Sequence, residues 1–249
     1  MRATRSPALV GLAALAVLCL IAEALVAGGM VSPLVLARPS DVGPAIVKLI
    51  REEGLIRAFF ATFAVTLAAG LTATAIGIPA GFLLYRFESF GRAYESWFAA
   101  LFAAPLVLLY PLFLVIIGRN FMTIFVMGTI TGTIPIILNT RVGLSSVPRP
   151  LINVGVSFNC SGIQQFFKVL FPAAVPDIFT GIRLGLIYAL VNIIGIEFLI
   201  NFGGLGRVVS DLYDRFEIPG MYAAIGFIIL VSASVFAVLA RIEKRIRPV

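Results

Sequence analysis

Ser145 to Leu184 reads SSVPRPLINVGVSFNCSGIQQFFKVLFPAAVPDIFTGIRL. It is the longest break between hydrophobic runs in the second half of the chain, yet it is not a polar loop. Ile152, Val156 and Phe158 form one short apolar block. Ile163, Phe166, Phe167 and Leu170 recur at i, i+3, i+4 and i+7, the spacing of one apolar helical face. Asn159-Cys160-Ser161-Gly162 separates the blocks as a turn, and Pro172 and Pro176 close the second one. The pattern predicts two short amphipathic helices at a bend, followed by a membrane span. Such an element lies on a membrane surface or docks into a groove on a partner.

The rest of the chain sets the context for that bend. Of 249 residues, 60% are hydrophobic and 12% charged. A soluble domain carries roughly twice that charged share. Apolar runs approach or exceed the roughly 20 residues that cross a bilayer as a helix. The fold class expected is therefore all-α and integral to the membrane, one transmembrane domain over 1–249. Six spans are expected, at about 8–30, 59–85, 97–118, 121–138, 179–200 and 220–239, with the bend at 145–176. The net charge is +7, but the basic residues sit beside the spans. They fit lipid head groups and a positive-inside topology rather than nucleic acid.

Ala8–Met30, flanked by Arg2 and Arg5, reads as a retained first span rather than a signal peptide. Glu23 falls near its outer end as an interfacial carboxylate. Ser32–Arg57 is a mixed outer segment with a short amphipathic helix over Val42–Ile50. Arg86–Glu95 reads as a short connection, Arg119-Asn120 as a tight turn and Asn201–Pro219 as an outer loop. Pro105 and Pro111 lie inside the third span. Each removes a helix donor, and freed backbone at membrane depth is tolerated where it is buried in protein or lines a cavity. With Tyr110, and with Asn192 and Glu197 in the fifth span, they are the candidates for a translocation path. Glu197 lies near the outer end of its span, which favours a solvated or paired structural carboxylate over a role in the path.

Several chemistries are excluded. The chain has no His, which removes the commonest general base and metal ligand. Cys19 and Cys160 are far apart and imply no disulfide framework. There is no G-x-x-x-x-G-K-[ST], and Gly203-Gly204-Leu205-Gly206 has no strand-to-helix context for phosphate. No catalytic residue, cofactor site or metal site is expected. No internal repeat is visible.

Several stretches, in order along the chain, resemble bacterial ABC importer permeases. Pro39-Ser40-Asp41-Val42 resembles a pattern after the first span of the nitrate, sulfonate and taurine branch. Gly77-Ile78-Pro79-Ala80-Gly81 resembles that family's second-span ending. Pro105, Leu109, Tyr110, Pro111, Leu112, Phe113 and Gly118 match its third-span stretch. Asn139, Thr140, Gly143, Ser146 and Val147 match the approach to its coupling loop, and Thr180–Leu186 the start of its fifth span. The coupling motif of the family is Glu-Ala-Ala, three residues, Gly, nine residues, Ile, one residue, Leu-Pro. Here the positions hold Asn153-Val154-Gly155, Asn159, Val169, Phe171 and Pro172. The Glu is absent. Asn replaces the Gly, and Asn is the next residue most able to adopt a left-handed turn.

The resemblance implies a six-helix type I permease fold with a cytoplasmic coupling helix, in the bacterial inner membrane with both termini cytoplasmic. It implies a permease subunit of an ATP-driven importer, with ATP and Mg on separate ABC ATPase subunits. Asn153, Val154, Gly155, Asn159, Ile163, Phe166, Phe167, Leu170 and Pro172 would couple to them. An extracytoplasmic solute-binding protein would dock at Gly204, Leu205 and Gly206. A second permease subunit, as a homodimer or an unequal pair, would complete the pathway. The substrate class implied is a small anion of the nitrate, sulfonate or taurine kind, or a small heterocycle. An ATP-independent secondary transporter or channel is the alternative. Such proteins carry mid-span charges or paired repeats, which are scarce here.

Overall fold

The computed structural model describes residues 7–246. These are helical almost throughout, and no strand occurs among them. Arg2 and Arg5, beside the first span, and Arg247 lie outside the described residues. The elements are α1 (Pro7–Ala27), α2 (Pro39–Arg51), α3 (Leu55–Arg86), α4 (Glu88–Ala103), α5 (Tyr110–Ile117), α6 (Phe121–Ser145), α7 (Arg149–Ser157), α8 (Gly162–Gln165), α9 (Phe171–Leu199), α10 (Leu205–Asp214) and α11 (Ile218–Ile246). A 3-10 turn, Leu106–Leu109, precedes α5, and a π-turn, Phe166–Leu170, joins α8 to α9.

Helices α1, α3, α6, α9 (with α8) and α11 are long and apolar enough to cross a membrane. The third expected span, 97–118, is not one continuous helix. It is two limbs, Glu88–Ala103 and Leu106–Ile117, bent by 86°. Ala104, ahead of Pro105, is extended at φ −72° and ψ 140°. The proline ring bars that residue from the helical region and itself lacks an N–H, so the chain turns there.

The core is the packing of α6 against α3 and α9. Lipid solvates apolar side chains as well as protein does, so close backbone approach has to drive the association. Gly132 and Gly185 supply it. A Cβ on Gly185 would stand 2.6 Å from the Gly132 carbonyl oxygen, and one on Gly132 would stand 3.0 Å from that of Gly185. Ile124, Met127, Ala189, Ile193 and Ile196 fill the contact toward one end. Leu144, Val147, Ala174 and Ile178 fill it toward the other.

The two ends of the bundle differ. At the far end, α10 lays Leu205, Val208, Val209 and Leu212 against Leu49, Leu55 and Ala223, so the expected outer loop is in fact a packed amphipathic helix. Glu23 at the end of α1 accepts from the Ser40 N–H (3.1 Å) and hydroxyl (2.8 Å), fastening the first turn of α2. Lys48 donates to Glu217 at 2.7 Å, and that carboxylate pushes the Lys48 ammonium up from its ordinary value. Asn120 caps α6, accepting from the Met122 and Thr123 N–H groups. At the loop end, Phe87 alone separates α3 from α4 where a ten-residue connection was expected. Arg141 pairs with Glu95 there, and Arg183 with Glu243.

Candidate functional site

The bend forms as the sequence suggests up to Gln165 and then departs from it. Pro148 leads into α7, and Arg149-Pro150 opens its first turn. Asn159 sits at φ 51°, in the left-handed region, and turns the chain out of α7. Ser161 then starts α8 through a capping box with Gln164. Pro172 and Pro176 do not close the second helix, contrary to expectation. The Phe171 N–H bonds the Phe166 carbonyl, five residues back, in a widened π-turn. Such a turn accommodates the donor that Pro172 lacks, and the helix runs on to Leu199. The fifth span therefore starts well before Phe179.

The two limbs of the bend pack on each other. A Cβ on Gly155 would lie 3.3 Å from Val169 Cγ2, and Gln165 Nε2 donates to the Ile152 carbonyl at 3.2 Å. Phe166 turns inward, its ring 4.6 Å from that of Phe82 on α3 and 5.9 Å from that of Phe171. Leu170 and Ile152 pack with it against Leu144 and Ala174. The opposite face is open. Phe158 is 79% exposed, Ile163 74% and Phe167 64%, with Val154 and Val156 beside them. The four residues read from the sequence as one face thus divide, Phe166 and Leu170 inward, Ile163 and Phe167 outward. Asn153, Asn159 and Pro172 are exposed, and Gly155 is buried.

The candidate path residues also divide. Pro105 and Asn192 line one cleft of about 660 Å3 at the break between α4 and the 3-10 turn. Phe102, Val107, Thr131 and Tyr188 line it as well, and the sequence did not single out any of these four. The rings of Phe102 and Tyr188 lie 4.6 Å apart. Asn192 Oδ1 is buried without a hydrogen-bond partner. Tyr110 lies outside that wall and packs against the core of α6 and α9, while Pro111 is exposed.

Glu197 is not in the cleft. It is wholly buried at the far end of α9, where the Thr62 hydroxyl donates to its carboxylate at 2.9 Å. Gly206 N–H donates to it at 3.0 Å, so the carboxylate caps α10 at its positive end. Thr62 Oγ1 in turn accepts from the Leu205 N–H at 2.9 Å. Gly204, Leu205 and Gly206 are buried around this knot. A Cβ on Gly206 would meet the Ile194 carbonyl oxygen at 2.1 Å, so these glycines serve close approach. They offer no exposed surface for a docking protein. Among the described residues, no group of three or more Cys, Asp or Glu side chains could hold a metal ion.

Comparison with known proteins places this architecture. The family described as "Binding-protein-dependent transport system inner membrane component" matches residues 73–248. The nitrate import permease protein NrtB of Synechocystis sp. is 31% identical over 198 residues, 79% of this chain and 72% of that protein. The bicarbonate transport system permease protein CmpB of Synechocystis sp. is 31% identical over 178 residues, 71% of this chain. That match spans 63% of the bicarbonate permease, less than two thirds of its length. A chain of the MetNI methionine ABC transporter, in an inward facing conformation, shares the fold with a TM-score of 0.68 at 20% identity. The similarity covers 78% of this chain and 96% of that one. An apolar helical bundle of this fold, with a family match over most of its length, belongs to the binding-protein-dependent transport system inner membrane components, as a permease subunit of an ABC importer.

Proposed function

We propose that this permease is driven by a separate ATPase subunit that grips α7, α8 and the π-turn, and that it imports a small solute handed over by an extracytoplasmic binding protein. One observation carries the proposal. The bend exposes Phe158, Ile163 and Phe167 on one side and anchors Phe166 and Leu170 to the bundle on the other. A large apolar patch on a protruding element needs a partner, and aromatic anchors of this kind dominate binding energy at interfaces. The inward half turns a push on the patch into motion of α3 and α9. Closure of paired ATPase subunits would then rock the bundle between inward- and outward-facing states.

Charge supports a cytoplasmic loop end. Arg86, Arg92, Arg141, Arg149, Lys168, Arg183, Arg241, Lys244 and Arg245 lie at that end, against Arg38, Lys48, Arg51, Arg57, Arg119, Arg207 and Arg215 at the far end. Both termini are then cytoplasmic and the membrane is the bacterial inner membrane. The binding protein would meet the exposed side of the turn after α10, where Tyr213, Asp214, Arg215 and Phe216 stand out. Phe216 sits there at φ 57°, a backbone region that bulky residues rarely adopt. Six spans are too few to enclose a pathway and its gate, so a second permease subunit completes it, as a homodimer or an unequal pair. The nitrate and bicarbonate permeases among the relatives favour a small solute of the nitrate, sulfonate, taurine or heterocycle classes. The test is ATP-driven uptake by the complete importer in proteoliposomes. Wild type should import and Phe167→Asp should insert but not import; equal transport by Phe167→Asp would refute the coupling.

A further inference from the structure

We propose that the groove between α3, α9 and α11 binds one anionic phospholipid of the leaflet at the loop end, its acyl chain in the groove and its phosphate on Arg241 and Arg245.

Helix α11 is tied to α3 and α9 at two levels with a gap between them. Near the far end the Phe227 ring stands 6.2 Å from that of Phe59. Near the loop end the Glu243 carboxylate pairs with Arg183 and accepts from the Thr180 hydroxyl at 2.6 Å. The space between the two ties is about 380 Å3. Leu190 and Leu205 are its buried floor. Phe63, Leu67 and Val238 form its rim at 39%, 47% and 53% exposure, so it opens on the outside of the bundle. The stretch of α11 that lines it, Val231–Leu239, rises roughly 12 Å, within the roughly 15 Å hydrocarbon half of a bilayer.

The wall selects a hydrocarbon chain. No charged side chain lines the groove, and three of its four hydroxyl groups are spent within the chain. Thr62 donates to Glu197 at 2.9 Å, Thr66 to the Thr62 carbonyl at 2.8 Å and Ser234 to the Leu230 carbonyl at 2.8 Å. A polar solute would give up its water there with little in exchange, and an acyl chain gives up none. Apolar fit alone does not favour one lipid over another, because bulk lipid solvates apolar walls equally well. Retention therefore falls to the head group.

The charges are in the right place for one. Ser234, Val238, Arg241 and Arg245 follow at i, i+4, i+7 and i+11, one stripe of α11. The first two line the groove, and the two arginines continue the stripe beyond it toward the loop end. Both arginines are exposed, and neither makes an ion pair among the described residues. Glu243, the acid of the same turn, is engaged with Arg183 and Thr180 on α9 and does not neutralise them. Guanidinium groups bind phosphate oxygens bidentately, and basic side chains just past a span attract anionic lipid. A zwitterionic head group brings a cation that this pair repels.

The test reconstitutes the complete importer in phosphatidylcholine vesicles with a trace of one of two reporter lipids. One is a phosphatidylglycerol and the other a phosphatidylcholine, with the same photoactivatable diazirine in the acyl chain. Labelled peptides are located by mass spectrometry, with the exposed face of α1 as the reference for bulk lipid. Phosphatidylglycerol should label the α3 and α11 peptides of the groove about fivefold to thirtyfold more than phosphatidylcholine, the scale of one or two head-group charges, and both should label α1 alike. Arg241→Gln with Arg245→Gln should bring groove labelling by phosphatidylglycerol down to the phosphatidylcholine level. Val238→Trp, which fills the rim, should reduce labelling by both; the arginine pair, being exposed, decides the matter if that variant does not assemble. Equal groove labelling by the two lipids in wild type, or phosphatidylglycerol labelling unchanged in the arginine variant, overturns the inference. So does a groove that neither lipid labels, as when a second permease subunit covers it. None of these outcomes touches ATP-driven uptake, which tests the importer reading separately.

Discussion

The Phe166 ring stands 4.6 Å from the ring of Phe82, one turn from the loop end of α3, while its neighbour Phe167 points away and is 64% exposed. Two adjacent phenylalanines thus divide the work of the bend. One attaches it to the bundle and the other is left for a partner.

That division predicts opposite phenotypes. Phe167→Asp should weaken ATPase co-purification by about thirtyfold or more, the scale of losing an interface anchor worth about 2 kcal/mol. Phe166→Ala should retain the ATPase but transport poorly per ATP consumed, because the aromatic contact to α3, worth about 0.5–1.5 kcal/mol, is gone. Quantitative pull-down alongside transport-to-hydrolysis ratios separates the two. Identical phenotypes would mean the pair acts as one face.

Asn159 occupies the left-handed region at φ 51°. Asn159→Gly should be tolerated, with coupling near wild type. Asn159→Val should cost about 1–2 kcal/mol or more at that position and loosen α7 from α8. Limited proteolysis of the bend in purified permease reads this directly, with the valine variant cut faster.

The knot of Thr62, Glu197 and Gly206 ties α3, α9 and α10 together at the far end. Thr62→Val keeps the shape but leaves the carboxylate and the Leu205 N–H short of a partner. It should lower stability by about 1–3 kcal/mol. Thermal unfolding in detergent should show a reduced Tm, whereas Thr62→Ser should stay close to wild type.

Gly185 leaves no room for a side chain at the α6 crossing, since a Cβ would meet the Gly132 carbonyl oxygen at 2.6 Å. Gly185→Leu should separate α6 from α9 and cost about 1–3 kcal/mol or more. Gly226, with nothing within 4 Å of its would-be Cβ, is the matched control, and Gly226→Ala should be neutral in the same unfolding assay.

Much of this architecture was legible because lipid restricts the choices. A backbone that must satisfy itself inside the bilayer is a helix, so apolar runs located the spans. Turn chemistry located the bend, because Asn159 is among the few residues able to make it. The exposure of Phe167 against Phe166 was not legible. The π-turn at Phe166–Leu170 rotates that stretch relative to a regular helix, and periodicity counts assume regularity. The same turn is why Pro172 failed as a stop signal. Glu197 gave its burial away only through Thr62, 135 residues earlier, and no local pattern links the two. The cleft was half visible. Pro105 marked the break, but Tyr188 and Thr131 became wall residues only through the 86° turn.

The most direct test of the account uses a thiol at the patch. In a Cys160→Ser background, Ile163→Cys is exposed to a membrane-impermeant thiol reagent in intact cells and in inverted vesicles, with and without the ATPase subunit. The account predicts labelling only in inverted vesicles stripped of the ATPase, and protection once the ATPase is restored. Labelling in intact cells, or equal labelling with the ATPase bound, would contradict it.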